Sequence, residues 1–170
     1  MSLAQAVVLL VALQRLAELA YARRNTKRLL AAGAVEAGAG HYPLVVLLHG
    51  AWLAALFVLI PRDAAVNWWL LGLFALLQAG RIWVIASLGG RWTTRIIVLP
   101  GAPLVTRGPY RIFRHPNYAI VVAEIAALPL AFDAWEIAST FSVLNLALLA
   151  YRIRIEDQAL APQRRDRPIG

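Results

Sequence analysis

The stretch R-G-P-Y-R-I-F-R-H-P-N-Y at Arg107–Tyr118 places three arginines, a histidine, two tyrosines and two prolines within twelve positions of a mostly apolar chain. An apolar segment, Ala119–Phe132, follows it directly. Charged groups beside a bilayer are costly to keep, and in membrane proteins they usually mark functional positions. The stretch therefore predicts a site at the point where the chain enters the membrane.

Composition supports a membrane protein. The chain has 170 residues, of which 61% are hydrophobic and 15% are charged, and its mean hydropathy is +0.64. Soluble domains are about half apolar and about one quarter charged. Because the chain lacks cysteine, disulfides, thiolate metal sites and cysteine nucleophiles are excluded. With only three histidines, a metal site is not expected.

Five apolar segments predict an all-α integral membrane protein with about five transmembrane helices, the last two of which follow the quoted stretch. The segments are Leu3–Ala22, Leu44–Ile60, Trp68–Leu88, Ala119–Phe132 and Trp135–Tyr151. A span needs about 20 residues, so the first and third are long enough and the fourth is too short alone. We predict that the last two form a short helical hairpin. Pro129 is expected to end or kink the fourth helix, because proline removes a backbone donor.

The first segment has an alternative interpretation as a signal peptide. It lacks a basic leading region, and Gln14, Arg15 and Glu18 interrupt its apolar run. These features favour a helix of the mature protein.

The basic residues orient the chain. Fourteen of the 17 fall on one side of the five-span scheme. They are Arg23, Arg24, Lys27, Arg28, Arg91, Arg95, Arg107, Arg111, Arg114, Arg152, Arg154, Arg164, Arg165 and Arg167. Since basic residues concentrate on the cytoplasmic side, we expect an outside N-terminus and a cytoplasmic C-terminus and site. This surface would face membrane lipids. Nucleic acid is not an expected partner, because it would need a basic face on a soluble domain.

Polar residues inside the predicted spans are expected to pair with one another, because charges within a membrane usually face the bundle interior. Arg81 in the third segment is a candidate partner for Glu18 in the first or for Glu124 in the fourth. Structural pairing is the favoured role for Arg15 and Glu18. His49 is predicted to be a hydrogen-bonded interior histidine.

The sequence L-V-T-R-G-P-Y-R-I-F-R-H-P-N-Y at Leu104–Tyr118, followed by an apolar hairpin and then R-I-R-I-E-D-Q-A-L at Arg152–Leu160, resembles the isoprenylcysteine carboxyl methyltransferase family. The resemblance covers about Gly89 to Leu160. It implies an integral membrane enzyme that uses S-adenosylmethionine and releases S-adenosylhomocysteine. The wider superfamily includes phospholipid methyltransferases.

The resemblance also implies roles for individual residues. It places His115, Pro116 and Tyr118 at the cofactor, with Gly108, Pro109 and Tyr110 shaping the loop above it. It implies that Leu104 and Val105 line the cofactor and that Glu156 and Asp157 form the family's acidic pair. The predicted cofactor-binding residues are thus Leu104, Val105, Gly108, Tyr110, His115, Pro116, Tyr118, Glu156 and Asp157.

The residues themselves suit such a cofactor. A site needs a cation for its carboxylate, an acid for its ammonium or ribose, and an apolar slot for adenine. Arg111, Arg114 and His115 are candidate cations, and Glu156 and Asp157 are candidate acids. The sequence Gly38-Ala39-Gly40 is not expected to bind a nucleotide, because no strand is predicted before it.

Methyl transfer to a carboxylate needs no base, since that acceptor is already ionised near neutral pH. Transfer to a phenol or enol would use one, and His115 and Glu124 are the candidates. Arg114, His115 and Glu124 are therefore the predicted catalytic residues, with no metal ligand among the predicted site residues.

Other interpretations stay open. His115 could simply cap the fourth helix, which Pro116 is suited to begin. Arg107, Arg111 and Arg114 could bind lipid phosphate. Arg152 and Glu156, four residues apart, could form an ordinary surface pair worth about 0.2–0.5 kcal/mol.

The sequence predicts three regions: membrane helices over residues 1–88, a catalytic and cofactor-binding region over 89–160, and a basic tail over 161–170. The predicted function is S-adenosylmethionine-dependent methylation of a lipophilic acceptor. The acceptor could be a prenylcysteine carboxylate. It could also be another lipid, such as an alkylated phenol or pyrone or a phospholipid amine. A non-enzymatic membrane scaffold is the third alternative.

Overall fold

The computed structural model describes residues 1–165, with the side chains of Arg164 and Arg165 left out. It contains five α-helices: α1 (Leu3–Ala31), α2 (Tyr42–Leu59), α3 (Trp68–Leu88), α4 (Pro116–Leu130) and α5 (Trp135–Arg165). Two short strands, β1 (Val35–Ala37) and β2 (Ile96–Val98), pair antiparallel. Short 3₁₀ turns occupy Ala39–His41, Gly89–Arg91 and Gly108–Arg111.

The helices present apolar side chains outward as well as inward. Leu10, Leu47 and Leu76 are more than 60% exposed, as expected of surfaces that face lipid. Within the described residues, the stretches Leu3–Ala31, Ala39–Leu59 and Trp68–Arg91 are long and apolar enough to cross a membrane. The fold is therefore that of a helical membrane protein. The number of spans and their orientation stay predictions.

Proline positions define the short helix α4. Pro116 is its first residue, where the missing N–H costs no hydrogen bond. Pro129 is its penultimate residue, so the prediction that this proline ends the helix is confirmed. At 15 residues, α4 is about 22 Å long, shorter than the hydrocarbon layer of about 30 Å.

Two helices are longer than their apolar segments. The apolar part of α1 ends near Ala22, but the helix continues to Ala31. Helix α5 continues from Tyr151 to Arg165 and takes in the first half of the predicted basic tail. Both extensions contain several arginines together with leucine and alanine, which favour helix without needing an apolar environment. The other half of that tail, residues 166–170, lies outside the described residues.

The expectation of purely helical structure is wrong in one place. Val35 faces Val98 and Ala37 faces Ile96 in the small sheet. A strand therefore does precede Gly38-Ala39-Gly40, contrary to the prediction. The strand leads into a 3₁₀ turn and pairs antiparallel, so it forms no part of a parallel nucleotide-binding unit.

One apolar core joins all five helices. It contains Val8 of α1, Leu56 of α2, Phe74 of α3, Leu128 of α4 and Ile137 of α5. The core crosses the predicted boundary at residue 88, so the first two predicted regions pack as one unit. Their division stays a functional prediction.

A second, polar set of side chains links α1, α3 and α4 inside the apolar bundle. Arg81 bonds to Glu18 at 2.8 Å and to Glu124 at 3.3 Å, so both predicted partners of Arg81 are confirmed. Arg15 bonds to the same two carboxylates at 3.0 and 2.8 Å. Gln78 donates to Glu124 at 2.9 Å. This buried ion cluster balances two arginines with two glutamates.

The long connection between α3 and α4 is held against α3. Arg107 Nε donates to the carbonyl oxygen of Ser87 at 2.8 Å. The next residue, Gly108, has φ +59°, and a Cβ there would collide with the Ser87 side chain and lie 3.3 Å from Trp83 Nε1. Only glycine fits this position without strain. The connection therefore leaves α3 along a fixed path.

Replacing Glu124 should destabilise the bundle. In Glu124→Ala, Arg15 and Arg81 would share the single carboxylate of Glu18, and breaking a buried ion pair costs about 3–5 kcal/mol. We expect a lower thermal unfolding midpoint in detergent. Glu136→Ala, which changes an exposed glutamate, is the matched control and should leave the midpoint unchanged. Equal midpoints for the two variants would contradict a structural role for the cluster.

Gly108→Ala should disturb the connection. The left-handed backbone and the collision with Ser87 together predict a cost of about 1–3 kcal/mol, seen as a lower unfolding midpoint. Gly90→Ala is the control, because a Cβ at Gly90 meets no atom within 4 Å and its φ is ordinary. If Gly108→Ala unfolds at the wild-type temperature, the path of the connection is not fixed as described.

Candidate functional site

A cavity of about 590 Å³ lies at the end of the bundle where the α3–α4 connection meets the extension of α5. Its volume is within the range of about 300–1,000 Å³ that small-molecule sites occupy. Strand β2 forms one wall, the loop after it forms another, and α4 and α5 supply polar groups. Its lining includes Arg91, Trp92, Leu104, Val105, Tyr110, Arg114, His115, Asn117, Tyr118, Arg152, Glu156 and Gln163.

The cavity brings together distant parts of the chain. Asn25 of α1 donates to the carbonyl oxygens of Gly89 and Trp92 at 3.1 and 2.9 Å, which fixes the chain as it leaves α3. Gln163 near the end of α5 donates to the carbonyl oxygen of Leu99 at 2.6 Å. The extended part of α5 thus closes one side of the cavity against the strand.

His115 directly precedes α4, at the position that caps a helix. Its side chain makes no capping hydrogen bond. Instead, Nε2 lies 3.3 Å from Asp157 Oδ1 and Nδ1 lies 3.8 Å from Glu156 Oε1. The ring also stacks on Tyr118, with centroids 5.4 Å apart and planes 12° apart. The helix-cap interpretation therefore does not account for its side chain, which is directed to the acidic pair.

Tyr118 contacts the second oxygen of the Glu156 carboxylate. Its hydroxyl donates to Glu156 Oε2 and accepts from Arg152 Nε at 2.9 Å. Arg152 is only 8% exposed and also donates to the carbonyl oxygen of Thr94 at 2.8 Å. Arg152 is thus no surface residue, and it is directed toward Tyr118 as part of the cavity wall.

Arg114 and Asp157 form the outer edge of the site. Arg114 Nη2 lies 3.2 Å from Asp157 Oδ1, and the arginine side chain is 59% exposed. An exposed pair of this kind contributes little stability. Arg114 is thus placed near the cavity with its guanidinium accessible to a ligand.

Some of the loop residues that the resemblance placed at the cofactor belong to the cavity lining, and others do not. Leu104, Val105 and Tyr110 line the cavity. Burial raises the pKa of the Tyr110 hydroxyl, and the Glu156 carboxylate raises it further. Tyr110 therefore keeps its proton at neutral pH and acts as a neutral hydrogen-bonding group.

Gly108, Pro116 and Asp157 lie next to lining residues and do not belong to the cavity lining themselves. Gly108 packs on α3, Pro116 begins α4, and Asp157 contacts His115 and Arg114. These three residues position the lining residues beside them.

Glu124 is separated from the cavity. It is 2% exposed and lies two turns into α4, where Arg15, Arg81 and Gln78 engage its carboxylate. Glu124 was predicted as a candidate base, and it lies only six residues beyond Tyr118 in the sequence, but that spacing does not reveal that its carboxylate is directed to α1 and α3. Its contacts assign it to the ion cluster.

Several lining residues were not predicted. Strand β2, Asn117 and Gln163 had no assigned role, and Arg152 was left open. The run Ile96-Ile97-Val98 is rich in β-branched residues, a signal that favours a strand. No comparable signal distinguishes Asn117 or Gln163.

The polar groups of the cavity could hold an organic ligand that carries both a positive and a negative charge. Glu156 offers a carboxylate, Arg114 offers a cation, and the rings of Trp92 and Tyr110 offer flat apolar surface. Among the described residues, the buried Oδ1 atom of Asn117 has no hydrogen-bond partner. Buried polar atoms are normally hydrogen-bonded, so this oxygen is available to a ligand. Within the part of the chain that the structure describes, no three His, Asp or Glu side chains are grouped so that they could hold a metal ion.

Comparison with known proteins identifies the family to which the chain is similar. Residues 70–162 match the isoprenylcysteine carboxyl methyltransferase (ICMT) family, and this range contains α4, the connection before it and the acidic pair. The chain is 40% identical to the uncharacterized protein YpbQ of Bacillus subtilis, over 91% of this chain and 94% of that protein. It is 29% identical to an uncharacterized protein of Haemophilus influenzae, over 81% of this chain and 83% of that protein. No solved structure matches the chain.

The family match covers more than half of the chain and includes every residue that the resemblance placed at the site. The chain therefore belongs to the isoprenylcysteine carboxyl methyltransferase family.

Proposed function

We propose that the protein transfers a methyl group from S-adenosylmethionine to a lipophilic acceptor at the cytosolic face of the membrane. The observation that carries the proposal is the meeting of two distant sequence motifs at one cavity. His115 and Tyr118 come from the first motif, and Glu156 and Asp157 come from the second. Family membership supports methyl transfer as the reaction class.

The chemistry of the cavity fits this cofactor. Glu156 suits the ammonium or ribose, and Arg114 suits the carboxylate. The Asn117 oxygen suits an N–H or O–H donor. The adenine would lie against Trp92 or Tyr110, whose rings provide stacking surface. The resemblance places His115 and Tyr118 at the cofactor, and in this arrangement both touch Glu156.

When bound, S-adenosylmethionine supplies an electrophilic methyl group, and the chain supplies binding, orientation and electrostatics. Tyr118 holds the Glu156 carboxylate in one place, and Arg152 in turn holds the Tyr118 hydroxyl. Gln163 donates to the carbonyl oxygen of Leu99, which ties the far end of α5 to the residue that follows β2. Methyl transfer in line with the departing sulfur depends on such positioning.

The pairing of the acidic and basic groups bears on the acceptor. Both ring nitrogens of His115 face carboxylates, and the Tyr118 proton is donated to Glu156. Glu124, the other candidate base, is engaged in the ion cluster. These pairings favour an acceptor that is already ionised, such as a carboxylate, over one that must first lose a proton.

The position of the cavity suits an acceptor with one polar end. Leu88, the last residue of α3, and Tyr118, in the first turn of α4, both belong to its lining. The cavity thus lies where apolar helices end. An acceptor would keep its apolar tail in the bilayer and place its polar end in the cavity. Basic residues predict that this end faces the cytosol.

Cofactor binding is the first test. Calorimetric titration of detergent-solubilised protein with S-adenosylhomocysteine should show binding at one site. His115→Ala and Glu156→Ala should weaken binding by tenfold or more, because each removes a group that touches the acidic pair or belongs to it. Glu136→Ala, far along α5 from the cavity, serves as the control. Absence of binding by the wild-type protein would overturn the proposal.

Acceptor choice is the second test. Proteoliposomes supplied with methyl-labelled S-adenosylmethionine should transfer label to a lipophilic acid. The acceptors to compare are a farnesylated cysteine, an alkylated phenol, an alkylated pyrone and phosphatidylethanolamine. Label in the farnesylated cysteine as a base-labile ester would identify a carboxylate acceptor. Label in phosphatidylethanolamine alone would contradict the preference for an ionised acid. If none of the four acceptors is labelled, the proposed methyl transfer to a lipophilic acceptor is contradicted even where the cofactor binds.

A further inference from the structure

Residues 35–42 reach the candidate site from the first half of the chain, outside the range that matches the family. Strand β1 pairs with β2, which forms a wall of the cavity. His41 follows at the start of α2 and is only 5% exposed. Its Nε2 atom lies 3.5 Å from Nη1 of Arg152. A buried histidine thus touches the arginine that contacts Tyr118.

The proton positions at this contact follow from chemistry. A guanidinium has only donors, so Arg152 must donate to His41 and Nε2 must accept. His41 is therefore the neutral form with its proton on Nδ1 wherever this bond is present. The other two groups that Arg152 contacts, the Thr94 carbonyl and the Tyr118 hydroxyl, are also acceptors. A buried guanidinium needs such acceptors, because unpaired buried charge is strongly disfavoured.

The contact with Arg152 determines where the Tyr118 proton goes. A phenolic hydroxyl has one proton and accepts through its oxygen. Because Arg152 Nε donates to that oxygen, the proton is left for Glu156, to which Tyr118 donates. Arg152 therefore orients the hydroxyl, and the hydroxyl in turn holds the carboxylate.

We propose that His41 is a positioning residue of the site: it holds Arg152, and through Arg152 it fixes the Tyr118–Glu156 pair. The geometric part of this inference stands on the contacts alone. Its consequence for methyl transfer rests on the proposed function.

The position of His41 is itself fixed by close packing on α5. Gly38 has φ +61°, and a Cβ there would lie 2.8 Å from Ile155 Cγ2 and 3.1 Å from His41 Nδ1. The imidazole also meets the Tyr151 ring edge-on, with centroids 6.0 Å apart. Next to it, Tyr42 and Thr94 share a hydrogen bond of 3.1 Å between their hydroxyls. The turn before α2 is thus fitted against the residues on both sides of Arg152.

The test reports on Tyr118 directly and needs no cofactor. The protein is labelled with ¹³C at the tyrosine Cζ atoms, and the Tyr118 signal among the five tyrosines is assigned with Tyr118→Phe. His41→Ala should move this signal, because Arg152 loses an acceptor and shifts. His41→Gln should restore the signal, since its amide oxygen can accept from Arg152. Arg152→Lys, which lacks the Nε donor, should move it as well.

His49→Ala is the matched control. His49 lies within α2, the helix that His41 directly precedes, and its Nδ1 atom is bonded to the Val45 carbonyl oxygen at 2.9 Å, as expected of an interior histidine. This variant should leave the Tyr118 signal in place. A Tyr118 signal that is unmoved in His41→Ala, or in Arg152→Lys, overturns the proposal. Equal movement in His49→Ala overturns it too, because the effect would then not be specific to His41.

Binding of S-adenosylhomocysteine gives an independent reading. We expect about tenfold weaker binding by His41→Ala, the size of effect that loss of one hydrogen bond to a charged group produces, and recovery in His41→Gln. Unchanged affinity in His41→Ala would overturn the link from His41 to the cofactor site. If the wild-type protein binds no S-adenosylhomocysteine while the Tyr118 signal responds as stated, the proposed function fails and the positioning role of His41 stands.

Discussion

Four charged side chains inside an apolar bundle, of which Arg81 and Glu124 are buried, impose the constraint on which the rest of the structure depends. Arg15, Glu18, Arg81 and Glu124 come from three helices, and each must find its partners inside the protein because lipid offers none. Their mutual contacts fix the rotation and depth of α1, α3 and α4 relative to one another. Apolar packing alone is less specific, since lipid and core side chains are equally apolar.

The site inherits its geometry from this arrangement. The C-terminal end of α3 supplies the Ser87 carbonyl that holds Arg107 and the space that requires glycine at position 108. The start of α4 supplies His115 and Tyr118. The ion cluster fixes the depth of α3 and α4 in the bundle, so it determines where the end of α3 lies relative to the start of α4. The connection between these two ends therefore has little freedom. Glu124 thus contributes to the site by fixing α4 and does not touch the cavity.

The sequence predicted those features that are local or that rest on charge. Five apolar segments, the end of α4 near Pro129, and the partners of Arg81 could all be predicted, because each follows from one residue type in one environment. The two motifs of the site were predicted through their resemblance to a family, and the structure joins them through Tyr118 and Glu156.

The rest depends on contacts between positions far apart in the chain. Strand β1 is three residues long and exists only because β2 pairs with it, more than fifty residues later. The role of Arg152 depends on Thr94 and His41, neither of which belongs to its own helix. The helical extensions of α1 and α5 lie beyond the apolar segments, so hydropathy does not delimit them. Such features are set by tertiary packing, which overrides local preference.

Helix α5 has a mechanical consequence. It is one continuous helix of 31 residues, about 46 Å long, which is well beyond the thickness of the hydrocarbon layer. Arg152, Glu156 and Gln163 lie on its far portion at spacings of four and seven residues, close to whole helical turns, so they move together with the rod. The sequence predicts that the apolar part of α5 spans the membrane, and a thicker or thinner bilayer changes the tilt of such a helix. The distance from Glu156 to Tyr118 on the short helix α4 would then depend on the lipid composition of the membrane in which the protein resides.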